Sequence, residues 1–297
     1  MLTNTTCSNE VNYCNDFFFK YALGSEDEDS TYIRNTIIER VTGIHPKESI
    51  VLNPNLDPTL LAQKQSILDI HVKDEQGHEY DFEMQTTFLQ ASEWKRFEYY
   101  GANMLSKQLV EGENYRQLQP IYQIIFVNAC PQNEKRLINR YIMRDQYGEA
   151  ESKEPLLHRI YIQLPMIDEI AKEKGMEAMN DFEQVCYLFK NNANHAILKT
   201  KERLVRKLME KHEKFKDDEG LRSLAMSRQM AEWREKNNLL DSYDEGKKKG
   251  VIDLLSLQIK QKFAIDAKEW LSTLSLSQLY ELSNQLLTCN TWEELQK

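Results

Sequence analysis

Hydrophobic and polar positions alternate most regularly between residues 66 and 85. Ser66-Ile-Leu-Asp-Ile-His-Val-Lys73 is followed by a turn over Asp74–His78 and then by Glu79-Tyr-Asp-Phe-Glu-Met-Gln85. A period of two belongs to extended chain, whose successive side chains point to opposite faces. The stretch therefore predicts a β-hairpin. Ile67, Asp69 and His71 share one face of its first strand, and Asp81, Glu83 and Gln85 share one face of its second. A three-residue loop, Glu75-Gln-Gly77, closes it with Gly77 at positive φ. That loop pairs Asp74 with His78, Lys73 with Glu79, His71 with Asp81 and Asp69 with Glu83.

Elsewhere the period changes. Residues 1–14 carry no pattern and are expected to form a flexible, loosely structured N-terminus. Asn15-Asp-Phe-Phe-Phe-Lys-Tyr-Ala-Leu-Gly24 predicts a short helix ended by Gly24. The acidic run Glu26–Asp29 with Ser30 opens a helix over roughly Thr31–Thr42, whose Ile33, Ile37, Ile38 and Val41 recur at helical spacing before Gly43. Carboxylates suit the positive end of a helix dipole. Glu48–Asn53 predicts a short strand closed by Pro54. A helix is expected from about Ala91 to Glu111, with Trp94, Phe97, Gly101, Met104 and Leu105 on one stripe and Arg96, Tyr99, Asn103 and Lys107 on another. Pro120–Val127 has little polar character and predicts a buried central strand. His158–Leu164 predicts one more, ended by Pro165, the last proline of the chain. Helix, three strands, helix and strand make a mixed α/β layer.

Beyond Met166 helix is favoured throughout. The lysines and arginines of the stretch Lys199–Lys216 mark the best local candidate for contact with a nucleic-acid backbone. Leu221–Lys236 continues as helix, Tyr243–Gly250 reads as a charged, glycine-bracketed joint, and two or three short helices follow, one opened near Ser275–Ser277 and one at Thr291.

With 297 residues, 41% of them hydrophobic and 29% charged, the chain has ample material for a core. No apolar run is long enough for a membrane span, and the polar N-terminus lacks a secretory signal pattern. Five scattered cysteines without a Cys-x-x-Cys offer no zinc site and fit a reducing cytoplasm. A net charge of −9 argues against a protein uniformly built to hold polyanions, though a local basic strip can coexist with an acidic remainder. No serine or cysteine sits in a nucleophile-elbow context beside His71, and no glycine-rich phosphate loop appears. What remains is the hairpin. Two carboxylates opposed across strands repel each other, and a hard cation such as Mg²⁺ relieves the repulsion by taking their oxygens. A solvated face of an amphipathic hairpin would carry the same residues.

An ordered series of segments decides between these readings: Asp16-Phe-Phe-Phe-Lys20, Ile50-Val-Leu-Asn-Pro54, Ser66-Ile-Leu-Asp-Ile70, Phe82-Glu-Met-Gln85, Arg96 with Tyr99-Tyr100, and Leu109-Val-Glu-Gly-Glu-Asn-Tyr115 leading to Pro120. In this order the chain resembles the PD-(D/E)XK nuclease superfamily, and within it the transposase-like branch that includes the recombination-promoting nucleases. The resemblance implies a restriction-endonuclease-like core, a central mixed sheet flanked by helices, over residues 15–165. A helical extension over 166–242 and a helical tail over 243–297 follow it. It also implies metal-dependent cleavage of DNA, with Mg²⁺ or Mn²⁺ as cofactor. Asp69 would be the first metal-binding acid, Glu83 the second, and Glu39 an additional acid on the preceding helix. Gln85 stands where the wider signature has lysine, so a positive charge must come from a neighbour, Arg96 first and Lys20 second. The alternative is a weakly active or inactive protein on the same fold, acting as a binding module. Self-association, if any, is expected through the helical tail.

Overall fold

The computed structural model describes residues 10–52, 70–86, 91–130 and 135–296. Asp69, with the start of the expected hairpin, lies outside them. Two compact units divide the chain, Met1–Met230 and Ala231–Lys297.

In the first unit α1 (Asp16–Gly24) is capped by Asn15, whose side chain accepts from the backbone N–H groups of Phe17 and Phe18. Helix α2 (Glu28–Thr42) begins three residues earlier than the apolar pattern indicates, because Asp27 caps it through Ser30 N–H. Strands β1 (Ser49–Val51), β2 (Ile70–Asp74) and β3 (Glu79–Gln85) come next, then α3 (Ala91–Lys107), β4 (Ile121–Val127), β5 (Ile138–Tyr141) and β6 (Leu157–Gln163). Among the described residues they form one six-stranded mixed sheet in the order β1-β2-β3-β4-β6-β5. Strands β3, β4 and β6 run parallel, while the outer pairings are antiparallel.

The hairpin follows the predicted register. Lys73 faces Glu79 and His71 faces Asp81, and Asp74 N–H donates to His78 C=O at 3.1 Å. Gly77 takes φ of 90°, the left-handed value that the loop requires. The Asp74 carboxylate stabilises this turn by accepting from the N–H groups of Gln76 and His78, both at 2.9 Å, and from the Tyr80 hydroxyl at 2.8 Å. Position 83 is thus held by turn chemistry several residues away.

The two faces of the sheet differ. Ile70, Val72, Tyr80, Phe82, Met84, Ile124, Phe126, Ile160 and Ile162 point into the main core. Helices α1 and α2 pack there, as do α4 (Met166–Lys174), α5 (Asp181–Asn191) and α6 (Arg203–Asp217). Phe126 meets Phe19 of α1 and Phe189 of α5 edge-on, with ring centres 5.7 and 5.2 Å apart. The other face carries Ile125, Val127 and Tyr161, and α3 covers them with Phe97 and Trp94. Strand β5 was not visible in the sequence: its Ile-Asn-Arg-Tyr has no alternation of a usable length, and its place at the sheet edge requires none.

Arg34 fastens the start of this layer. It is wholly buried on α2 and donates to Leu23 C=O at 2.7 Å, Ser25 C=O at 2.9 Å, Ser49 C=O at 3.2 Å, Ser49 Oγ at 3.1 Å and Thr31 Oγ1 at 3.2 Å. The end of α1 and the edge strand β1 are thereby tied to one guanidinium.

The C-terminal helices depart from expectation in one respect. Tyr243–Gly250 is no joint: it lies inside α7 (Glu219–Phe263). Its Glu and Lys residues are good helix formers, and two glycines cost only about 1 kcal/mol each against alanine. In the second unit Ile252, Leu255 and Ile259 of α7 pack with Leu271 of α8 (Lys268–Thr273), Leu279, Leu282 and Leu286 of α9 (Leu276–Thr288) and Leu295 of α10 (Trp292–Leu295). Ser275 and Thr291 open α9 and α10 through capping boxes with Gln278 and Glu294, as the sequence indicates. Among the described residues no helix is long and apolar enough to cross a membrane.

Two stability measurements test this packing. Arg34→Met removes five donated hydrogen bonds and strands buried carbonyl groups, so urea unfolding should show a loss on the order of 4 kcal/mol; a loss below about 1 kcal/mol would remove Arg34 from this role. His212 on α6 gives the second. Its ring stacks on Tyr13 at 3.9 Å and its Nε2 lies 2.9 Å from Val11 C=O. Burial lowers its pKa from 6.5 to about 4. The folded state therefore resists protonation more than the unfolded chain does. Stability is fully present above about pH 6.5, declines as pH falls to about 4, and levels off below. The shift is worth about 3 kcal/mol. Urea unfolding across that range should show the advantage of the parent protein over His212→Gln shrinking by about this amount toward pH 4; a constant difference would contradict it.

Candidate functional site

The acidic face of the hairpin lies on the α3 side of the sheet. Glu79, Asp81, Glu83 and Gln85 alternate with Tyr80, Phe82 and Met84, which enter the main core, so the acids point toward α3. All three are buried, Asp81 completely and Glu83 to 4% exposure. A buried carboxylate needs compensation, and each has a neighbour that supplies it.

Around Glu83 the compensation comes from α3. Arg96 Nη2 donates to Gln85 Oε1 at 3.2 Å, lies 2.8 Å from Glu93 Oε2 and 3.9 Å from Glu83 Oε2. Its guanidinium also sits 5.8 Å from the centre of the Tyr100 ring. Around Asp81 it comes from β4 and β6. Buried Gln123 donates through Nε2 to Asp81 Oδ2 at 3.3 Å and to Phe97 C=O at 2.9 Å, and its Oε1 accepts from Arg159 Nε at 3.1 Å. One amide side chain therefore fastens the acid row, the overlying helix and a third strand. Glu79 is held by His71 Nε2 at 2.8 Å and Lys73 Nζ at 3.8 Å.

Helix α3 can come this close because of Gly101. A methyl group there would stand 2.7 Å from Leu157 Cδ1 and 2.9 Å from Gln123 Oε1. The predicted apolar stripe is met by Phe97, Gly101 and Met104, all buried. The polar stripe needs one change. Tyr99 is 63% exposed, while Tyr100 shares a pocket with Asn103 and Lys107. Arg96, Tyr100, Asn103 and Lys107 stand at i, i+4, i+7 and i+11, the spacing of one helical face.

The structure thus brings together Glu83, Gln85 and Arg96 of the residues singled out in the sequence. Asp69 lies outside the described residues, although Ile70 next to it pairs with Phe82. Lys20 and Glu39 stand on α1 and α2, which pack on the opposite face of the sheet; Glu39 is engaged by His45 at 3.1 Å and Arg40 at 3.8 Å. Gln123, Arg159 and Glu93 were not singled out. Gln123 had a visible signal, a lone amide within Ile121-Tyr-Gln-Ile-Ile-Phe-Val127.

Three lysines of α6 are engaged by the acidic start of α2. Lys211 is buried and pairs with Asp27 at 2.6 Å, while Lys207 and Lys214 pair with Asp29 at 3.0 and 3.3 Å. Burial works against the Asp27 carboxylate, yet hydrogen bonds from Lys211 and Ser30 hold it below its ordinary range. This basic stripe neutralises the acidic start of α2.

Among the described residues no three His, Cys, Asp or Glu side chains cluster closely enough to hold a metal ion by themselves. The groups at the Glu83 end are hard oxygen donors, a carboxylate and an amide, and these fit Mg²⁺ or Mn²⁺ once a second acid joins them.

A family model described as PD-(D/E)XK nuclease family transposase matches residues 13–242. No curated protein and no solved structure matches the chain.

Gly101→Ala tests the seating of α3. Forcing the helix off Gln123 and Leu157 should cost about 1–3 kcal/mol in urea unfolding, whereas Ala102→Ser, on the exposed side of the same helix, should change stability by less than about 0.5 kcal/mol. Equal effects would mean that the close approach is unimportant.

Proposed function

The chain belongs to the PD-(D/E)XK nuclease transposase family, and from that premise we propose that it is a metal-dependent DNA endonuclease working on the α3 face of the hairpin. Asp69 and Glu83 hold a Mg²⁺ or Mn²⁺ ion. The observation that supports this best is the buried Glu83 carboxylate on a central strand, beside Gln85 and a guanidinium that the two share. The loop count that predicts the rungs Lys73–Glu79 and His71–Asp81, both found, also predicts Asp69 opposite Glu83. When bound, the cation polarises the phosphodiester and acidifies an attacking water.

The chain's own residues do the rest. Gln85 has an amide, which can orient water by hydrogen bonding but carries no charge. Arg96 supplies the charge that lysine supplies elsewhere in the superfamily. Its planar fork stays protonated and suits phosphate oxygens. Glu93 positions it by an ion pair one helical turn away. Trp94 and Phe97 seal the apolar side of the site, which strengthens every electrostatic contact within it. The substrate is DNA in the cytoplasm, and self-association, where it occurs, uses the helices of the second unit.

Incubating the pure protein with supercoiled plasmid and Mg²⁺ tests this reading. Nicking or linearisation is expected, abolished by chelation. Glu83→Gln and Asp69→Asn should each slow it by about a hundredfold or more, and Arg96→Ala by about ten- to a hundredfold. Calorimetric Mn²⁺ binding should be lost in Glu83→Gln. Undiminished cleavage in that variant would end the assignment.

A further inference from the structure

The groove between α3 and the hairpin does not stop at Glu83. Two to four residues along β3, about 7–13 Å away, are the His71–Asp81 and Lys73–Glu79 rungs. There a pocket of about 230 Å³ opens, with His71 and Glu79 as its floor and Tyr100, Asn103, Met104 and Lys107 of α3 as its wall. Leu52 closes one side. The volume is below the roughly 300–1,000 Å³ of pockets for whole small-molecule ligands, and suits a single planar ring system.

We propose that this pocket receives one unpaired base of the DNA strand being cut, an adenine by preference; the proposal rests on the nuclease reading above. The chemistry is that of a base and its phosphate. Glu79 is an acceptor fixed by His71 at 2.8 Å, placed for an exocyclic amine. Asn103 offers an acceptor and a donor side by side, the pair that reads adenine N6 and N7. Tyr100 and Met104 present a ring and a thioether to the faces of the base, as single-stranded nucleic acid is held elsewhere. Lys107 is exposed at the outer end of the wall, where the attached phosphate would lie. Arg96 stands eleven residues before it on the same helical face, about 16 Å along the axis. One helix thus carries a cation at each end of the groove and base-binding groups between them.

A base can enter a pocket beneath a helix only after leaving its partner. That costs a few kcal/mol in a duplex and least where the base is already unpaired. The substrate is accordingly DNA with a bulged or displaced nucleotide about two to four base steps from the scissile phosphate, counting 3.4 Å per step along one strand.

Fluorescence anisotropy with the full chain carrying Glu83→Gln, in EDTA, separates binding from cleavage. Three labelled duplexes serve as probes: one with a single bulged adenosine, one with an abasic bulge, and one fully paired. The bulged adenosine should bind at least about tenfold more tightly than the other two, the worth of one stacked base. Adding Asn103→Trp, which fills the pocket, should erase that advantage, and adding Tyr100→Leu should remove most of it without adding bulk. Adding Lys107→Ala should weaken all three probes alike. Equal affinities, no binding of any probe, or an advantage that survives both pocket variants would overturn the proposal. If the parent protein cuts plasmid and the bulge advantage is absent, only the pocket is refuted. An advantage without any cleavage would refute the nuclease reading and leave the pocket standing.

Discussion

Strand β3 imposes the constraint on which the rest of the structure depends. It lies inside the sheet, between β2 and β4, and is buried along nearly its whole length, yet every residue on one of its faces is an acid or an amide. Carboxylates in such a place are stable only with fixed partners. Tyr80, Phe82 and Met84 anchor the strand in the main core, which leaves Glu79, Asp81 and Glu83 no choice of side. Each then recruits a group from a different element: His71 from β2, Gln123 from β4 and Arg96 from α3. Together these contacts hold the acid row in place before any ligand arrives.

Helix α3 answers that constraint in two ways. Its apolar stripe covers Ile125, Val127 and Tyr161, and its polar stripe lies along the acids. The two stripes are adjacent on one helix, so the depth to which the first is seated decides where the second stands. Gly101 sets that depth. Gln123 then secures it, since the same amide nitrogen meets Asp81 on the sheet and Phe97 C=O on the helix. Packing and polar chemistry are in this way a single geometric problem.

Much of this was legible in the chain because short-range rules dominate it. Alternation fixes the hairpin, loop length fixes its register, and Ser275 and Thr291 fix helix starts, while the cap at Asp27 starts α2 a turn earlier than its apolar pattern shows. The choice between Tyr99 and Tyr100 was not legible, because both fit a polar helix face until the rotation of α3 over the sheet is known. Nor was the role of Gln123, whose value depends on three elements meeting. The supposed joint at Tyr243–Gly250 shows the opposite error: two glycines outweighed the helix-forming residues around them in the reading, but not in the fold. Where a local rule had no competitor it held; where several side chains converge from distant segments, a periodicity could point to a face but not to a partner.

Charge makes the same point on a larger scale. A net charge of −9 argues against broad attraction for polyanions, and the lysines of α6 looked like the local exception. Three of them, Lys207, Lys211 and Lys214, pair with Asp27 and Asp29, some 180 residues away in sequence, and so join α6 to α2. The cations along the acidic hairpin are of another kind. Arg96 is shared among Gln85, Glu93 and Glu83 at distances from 2.8 to 3.9 Å, and Lys107 is exposed at the far end of the same helix face. A guanidinium already divided among several oxygens can exchange one of them for a phosphate oxygen at small cost. The positive charge useful to an acidic protein is therefore a matter of which cations can change partners, and a count of Lys and Arg along the chain does not contain that distinction.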